Sequence, residues 1–554
     1  MKATHVIRKL IELWEATQVE LHGFYSVARV RELIEYSQRV GSFRALVVLG
    51  IIPWPCVIIT VLVDMIPLRP SSEGLEANHL FIVRTFLSFW VATMVINLQF
   101  KHSVPTAPLP RLIVVIYSAL TAILTTSVVY ALSMLIGFPL PFGIITVSPA
   151  WVTFMLLPLV SFLRKARGDP HVWLQIVNTL KTWICQESLV VIYPTYFYIY
   201  TTLPANAKTP VAMLLPIIKI FLRNIMSRTV VHLKDEIPEV VLMNVEVFNS
   251  LFMSYCMQNT PSIWTTLGLI AIDGAQMMAS LHDVGVVIQH LGKLKALVNS
   301  ERSRQGFSHT MRTQAKEFDS KSILVYTEEI LDRYQSMSTN EIGVASVENA
   351  TAETSKVVQL NVNAKGKSSK GVPKHIVYSP RTQVRPKLKA RPSLRKIFAS
   401  TEGEGRMDIS ELEQEYAENV RKALYIAEFM LLINYVEVIV PIIFSANLVV
   451  MYHLPNRVYY SQINSMDDEK LRQTLGNVML YCFLQVVSLV VLFVVLWQKL
   501  RVSGLRQLAF VLEKQGEQVQ TKLVLGVFYN VQATLEHFAS DYTFKFAWLH
   551  STPA

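Results

Sequence analysis

The chain has 554 residues, 51% hydrophobic and 17% charged, with a mean hydropathy of +0.35 and a formal net charge of +11. A soluble domain carries roughly 25% charged residues, and Leu112–Leu163 contains no Asp, Glu, Lys, Arg or His, so a large soluble helical protein is excluded. The cysteines, Cys56, Cys185, Cys256 and Cys482, sit in apolar segments without paired spacing, which supports neither a disulfide framework nor a metal site.

Residues 1–43 mix charged and apolar residues and hold no signal-peptide core, so the first membrane helix is expected to act as the targeting signal. Two amphipathic helices broken near Gly23 are predicted there. Ile7, Leu10, Ile11 and Trp14 share one face, suited to the membrane surface or, preferably, to packing on the cytoplasmic side of the protein. Residues 44–281 predict eight spans, because about 20 apolar residues cross the hydrocarbon. The first, Ala45–Val63, holds Pro53 and Pro55, which should kink or interrupt it. The second is Leu80–Gln99, with Arg84 near one end. The third and fourth form a hairpin across Leu112–Leu163, turning at Gly137–Gly143. The fifth, Ile184–Leu203, begins with Glu187 and ends in Tyr193, Tyr196, Tyr198 and Tyr200, an arrangement that fits an interfacial aromatic belt. The sixth, Val211–Met226, is the weakest, because it is short and contains Pro216, Lys219 and Arg223. If it lies on the surface or re-enters, eight or nine spans remain in all. The seventh and eighth, Ile237–Met257 and Ile263–Leu281, are joined by a short turn at Asn259–Ser262.

A cytoplasmic linker is expected over 282–409. Within 361–400 there are eleven Lys or Arg and no Asp or Glu, with four prolines, a composition that predicts disorder. Lys365, Lys367, Lys370, Arg381, Arg385, Lys387, Lys389, Arg391, Arg395 and Lys396 are candidates for docking on anionic inner-leaflet lipid, at about 1 kcal/mol each near the surface. The competing reading is an ordinary cytoplasmic linker obeying the positive-inside rule. Nucleic-acid binding is not expected, since the run lacks interleaved aromatic residues. Residues 410–499 should hold one long helix, opened by Ser410 and Glu413 at capping-box spacing, and the last two spans, Phe429–Tyr452 and Leu475–Trp497. Residues 500–554 read as an amphipathic tail, with Leu505, Leu508, Val511 and Leu512 on one face. The fold expected is therefore all-α: a polytopic transmembrane helical bundle of about ten spans, eight and then two, with amphipathic cytoplasmic helices at both ends. Loop charge puts both termini in the cytoplasm.

Polar residues recur at helical spacing inside the late spans. Glu239, Glu246, Asn249 and Ser250 share a face of the seventh, and Thr266, Asp273, Gln276 and Ser280 a face of the eighth. Asn434 and Glu437 lie in the ninth, and Asn477, Tyr481, Gln485 and Ser488 in the tenth. A lone acid at the bilayer centre costs roughly 2.5–3.5 kcal/mol on insertion scales, so these faces should meet one another or water. The candidate polar centre is Glu246, Asn249, Asp273, Gln276, Asn434, Glu437 and Gln485. Two readings compete for its acids: a pathway for a small solute, cation or proton, and hydrogen-bonded glue between helices. Glu187, Glu239 and Glu428 lie near span ends and read as interfacial. No HExxH, complete phosphate-binding loop or cysteine cluster is present, so neither an enzyme nor a cofactor is expected.

The blocks Asn434–Pro441, His453–Tyr460 and His537–Leu549 resemble those of a large family of polytopic membrane proteins. That likeness covers roughly 420–549. It implies a multi-pass helical fold and carries over no activity and no site. Two functions follow from the residues: a transporter or channel built on the polar centre, or a scaffold or receptor-like protein that binds cytoplasmic partners or lipid.

Overall fold

Two prolines set the first break in the chain. The order begins as α1 (Val27–Arg39), α2 (Ser42–Ile51) and α3 (Trp54–Asp64), so that the apolar run after Gly41 forms two helices with Ile52 and Pro53 between them. Pro has no N–H to continue the ladder, so the segment bends where the sequence predicts. The computed structural model describes residues 19, 23–204, 207, 210–211, 214–258, 263–304, 323–333 and 409–539. The chain continues as α4 (His79–Ser103), α5 (Arg111–Ile136), α6 (Gly143–Leu156), α7 (Val160–Ala166), α8 (Pro170–Thr202), α9 (Leu215–Thr229), α10 (Ile237–Gln258) and α11 (Ile263–Arg304). It closes with α12 (Ile409–His453), α13 (Asp468–Leu500), α14 (Gly504–Lys514) and α15 (Gly516–Ala533). Among the described residues every regular element is helical, apart from one antiparallel bridge between Tyr460 and Leu535.

Seven helices among the described residues are long and apolar enough to cross a membrane, which marks a membrane protein: Ser42–Asp64, His79–Ser103, Arg111–Ile136, Gly143–Ala166, Ile237–Gln258, Ser410–His453 and Asp468–Leu500. The expected fifth, sixth and eighth spans correspond to α8, α9 and α11, which are not among the seven. Their boundaries also differ from expectation. The fifth starts at Pro170 instead of 184, and the eighth runs on to Arg304, so 282–304 is helix. The 361–400 basic run and the face of Ile7, Leu10, Ile11 and Trp14 lie outside the described residues.

The chain divides into two compact units. In the unit of Met1–Ala16 and His290–Val420, a helical stretch at 323–333 brings Arg333 Nη1 to 3.0 Å from Glu413 Oε2. There Tyr326 and Tyr416 lie 5.1 Å apart by ring centroids. The second unit comprises Thr17–Gln289 and Arg421–Ala554. α4 packs on α5 and α5 on α6. The turn between these last two needs Gly137, whose φ of 126° only glycine adopts without strain. α10 is buried on every side.

Within this second unit the helices share two ends, one at Arg44 and the other at Asp64. At the Arg44 end, α14 packs on α1 and α2. Tyr36 donates to Glu513 Oε2 at 2.7 Å, and Arg44 pairs with the same carboxylate. The helix after it does not stay there. α15 packs on α3, α4 and α10. Near its start Glu517 meets Arg111 Nη2 at 3.0 Å. Past its finish Leu535 bridges Tyr460, and His537 Nε2 lies 2.8 Å from the Arg69 carbonyl. Among the described residues, α15 therefore connects the α14 end of this unit to the Tyr460 end.

Candidate functional site

α9 is amphipathic in an inverted sense. Pro216 sits in its first turn, where a missing N–H costs nothing. Ile217, Phe221 and Ile225 point outward, while Lys219, Leu222, Arg223 and Met226 are buried. Spacings of three and four residues put the two cations on one face, and that face turns toward α10. A helix in hydrocarbon exposes its apolar side and hides its charges.

The partners are the acids predicted for the polar centre. Arg223 Nε donates to Glu246 Oε1 at 2.5 Å. Lys219 Nζ lies 3.7 Å from Glu246 Oε2 and 3.3 Å from Glu437 Oε1. All four side chains are buried, with exposures of 2%, 3%, 0% and 7% for Lys219, Arg223, Glu246 and Glu437. Two cations and two acids from α9, α10 and α12 therefore meet in one buried cluster among the described residues. The Arg223 guanidinium also lies 6.0 Å from the centroid of the Phe429 ring. Tyr193 of α8 stacks on Phe248 and Phe252 at 6.0 and 5.4 Å.

The other predicted residues divide. Asn249 is buried one turn beyond Glu246, on the same face. Asn434 Nδ2 donates to the Met430 carbonyl at 2.9 Å, and its Oδ1 accepts from the Ser488 hydroxyl. Gln485 is buried on α13. Asp273 and Gln276 lie on α11, and their side chains are outside the described residues. Lys219 and Arg223 escaped the sequence reading because they counted against a span. Their spacing of four, beside uncompensated acids on later helices, was the signal that could have identified them.

Three further buried charge pairs join packed segments, and two of them give partners to Glu239 and Glu428. Lys522 Nζ sits 2.7 and 2.8 Å from the two oxygens of Glu239. Arg29 binds Glu428 bidentately at 2.7 and 3.2 Å, and Tyr25 donates to the same carboxylate. Burial lowers the Arg29 pKa, but the Glu428 carboxylate outweighs it and raises the guanidinium above its ordinary value. Arg84 is fully buried: its Nη2 donates to Asp64 Oδ1 at 2.7 Å and to the Tyr460 hydroxyl at 2.6 Å, and its Nε to Gln532 at 3.1 Å. Beside this pair, burial holds the His537 imidazole below its usual pKa. Burial opposes ionisation of Glu236 too, yet its hydrogen bond with His102 keeps that carboxyl below the usual range.

Three of the four tyrosines of the expected aromatic belt turn inward, and Tyr198 is half-buried. Tyr193, Tyr196 and Tyr200 are buried, and the Tyr196 hydroxyl donates to the Val211 carbonyl at 2.8 Å. None of the four cysteines forms a disulfide, and among the described residues no group of His, Cys, Asp and Glu could hold a metal ion. Comparison with protein-family models, curated proteins and solved structures finds no match to the chain.

Proposed function

We propose that this chain is a multi-pass membrane protein of scaffold or receptor-like type, in which buried charge pairs lock the helices into one arrangement. The observation that carries the reading is the buried charge cluster of Lys219, Arg223, Glu246 and Glu437. A carrier that loads a proton or cation on a carboxylate needs that acid to reach water from one side and to be released from its counter-charge. Here each acid already has a cation at hand and is closed off by neighbouring helices. Buried ion pairs add little net stability, but they penalise arrangements that leave a charge unmatched. Such pairings, several of them between segments hundreds of residues apart, suit a role in fixing shape. The basic run at 361–400 adds a surface for anionic lipid or acidic partners on the cytoplasmic side.

The same geometry supports eleven crossings. α15 is about 27 Å long at 1.5 Å per residue, close to the hydrocarbon thickness, and it joins the two ends of the bundle. Lys and Arg concentrate at the Arg44 end, with Lys101, Arg164, Lys165, Arg167, Lys499 and Arg501, so that end faces the cytoplasm. The segment after α15 then lies on the opposite side.

One observation favours the carrier reading. Lys219 lies between two acids, and the Tyr193 hydroxyl, Asn249 Oδ1 and Ser250 Oγ are buried with no hydrogen-bond partner among the described residues. Such a centre could take up water or a proton in a second conformation. The test is flux of protons and of potassium in proteoliposomes of the full chain, compared with Glu437→Gln and Lys219→Gln. The scaffold reading expects no flux above empty vesicles in any of the three. Flux in the unaltered protein that either substitution abolishes, with the fold retained, would overturn it.

A further inference from the structure

The other end of the outer helices holds a cavity that the charge cluster does not use. It has a volume of about 390 Å³ and lies between α4, the stretch from α6 through α7, and the start of α8. Phe100, Leu159, Leu163, Ile176, Leu180 and Trp183 give it apolar walls. Two charged residues also line it, Arg164 and Arg167, both exposed at the Arg44 end of the bundle. Neither has an acidic partner among the described residues. The nearest acid in sequence, Asp169, is engaged otherwise, because its carboxylate caps α8 by accepting from the backbone of His171 and Val172. The Arg167 guanidinium sits 5.5 Å from the centroid of the Trp173 ring, which leaves its N–H edge free to meet an anion while its face rests on the indole.

We infer that this cavity binds an anionic phospholipid, with one acyl chain in the apolar slot and the phosphate on Arg164 and Arg167. The walls require an alkyl chain, since they offer a soluble polar ligand almost no hydrogen-bonding group. The guanidinium pair requires an anion, because Arg matches phosphate oxygens in bidentate geometry. Basic pockets between transmembrane helices on the cytoplasmic face are where such head groups dock. The inference rests on the membrane reading above, but binding does not depend on which side faces the cytoplasm.

The experiment uses the full chain in phosphatidylcholine nanodiscs and reads tryptophan fluorescence. Phosphatidylserine brominated on its acyl chains is compared with brominated phosphatidylcholine. Trp173 and Trp183 line the slot, and Trp173→Phe with Trp183→Phe reports the quenching of the other indoles. Saturable quenching by the brominated phosphatidylserine, at lower mole fraction than by phosphatidylcholine, is expected. Each basic residue near an anionic lipid contributes about 5-fold, so Arg164→Gln with Arg167→Gln should lower the preference about 30-fold. Leu159→Phe, which fills the slot and leaves both arginines, should weaken quenching by both lipids. Equal quenching by the two lipids, an undiminished preference without the arginines, unchanged quenching in the Leu159 variant, or displacement by inorganic phosphate would each overturn the proposal. A chain that fails to enter nanodiscs at all counts against the membrane reading instead.

Discussion

Glu246 shows what one side chain commits the rest of the protein to. Arg223 donates to it at 2.5 Å and Lys219 stands 3.7 Å away, so removing its charge takes from two buried cations a carboxylate that they share. Glu246→Gln should therefore destabilise the folded protein by about 3–5 kcal/mol, the usual cost of breaking a buried pair from one side. Replacing both members, Glu246→Met with Arg223→Met, removes one charge of each sign and should cost clearly less. Thermal unfolding of the two purified variants compares them, and equal losses would mean that charge balance is not what holds the cluster. At this scale the sequence was half legible. Acids at membrane depth were visible by type and spacing, because hydrocarbon makes any acid conspicuous. The cations were visible too, but Lys219 and Arg223 read as reasons to doubt a helix. Only the facing helices give them a partner.

α15 carries the lesson for whole elements. Hydropathy recognises helices that face lipid, and α15 holds Gln518, Gln520, Lys522, Asn530 and Gln532. It is tolerated because other helices surround it. Lys522 reaches Glu239, Gln520 Nε2 donates to the Ile52 carbonyl at 2.7 Å, and Gln532 accepts from Arg84. The fit is closest at Gly526, where an added Cβ would stand 2.9 Å from Val247 Cγ1 of α10. Gly526→Leu should push the two helices apart and cost about 1–3 kcal/mol by overpacking. A chemical-denaturation midpoint unchanged from the parent would show that α15 does not pack there. By contrast, the break at Ile52-Pro53 was legible in advance, since proline chemistry acts locally, and so was the long helix α12, although Ser410 lies inside it and the Glu413 carboxylate binds Arg333 instead of capping its start.

For the molecule as a whole, the decisive question is which side each end occupies. Ten spans return the chain to the side on which it began. An eleventh through α15 does not, and the bonds of Arg69 with His537 and of Ser71 with Glu536 hold the segment after α15 against the loop that follows α3. An epitope appended after Ala554 should be reached by antibody on intact cells or sealed vesicles from the side opposite to one placed in the 361–400 run. If both epitopes are reached from the same side, α15 does not cross.

By itself the sequence determined that the protein is helical and built for a bilayer, because long uncharged runs have no other stable place. It also determined which acids would need company. The tertiary structure alone decided who that company is, and that a polar C-terminal helix lies inside the bundle. Pairing across several hundred residues depends on which faces the packed helices present to one another, and a local pattern carries no record of that.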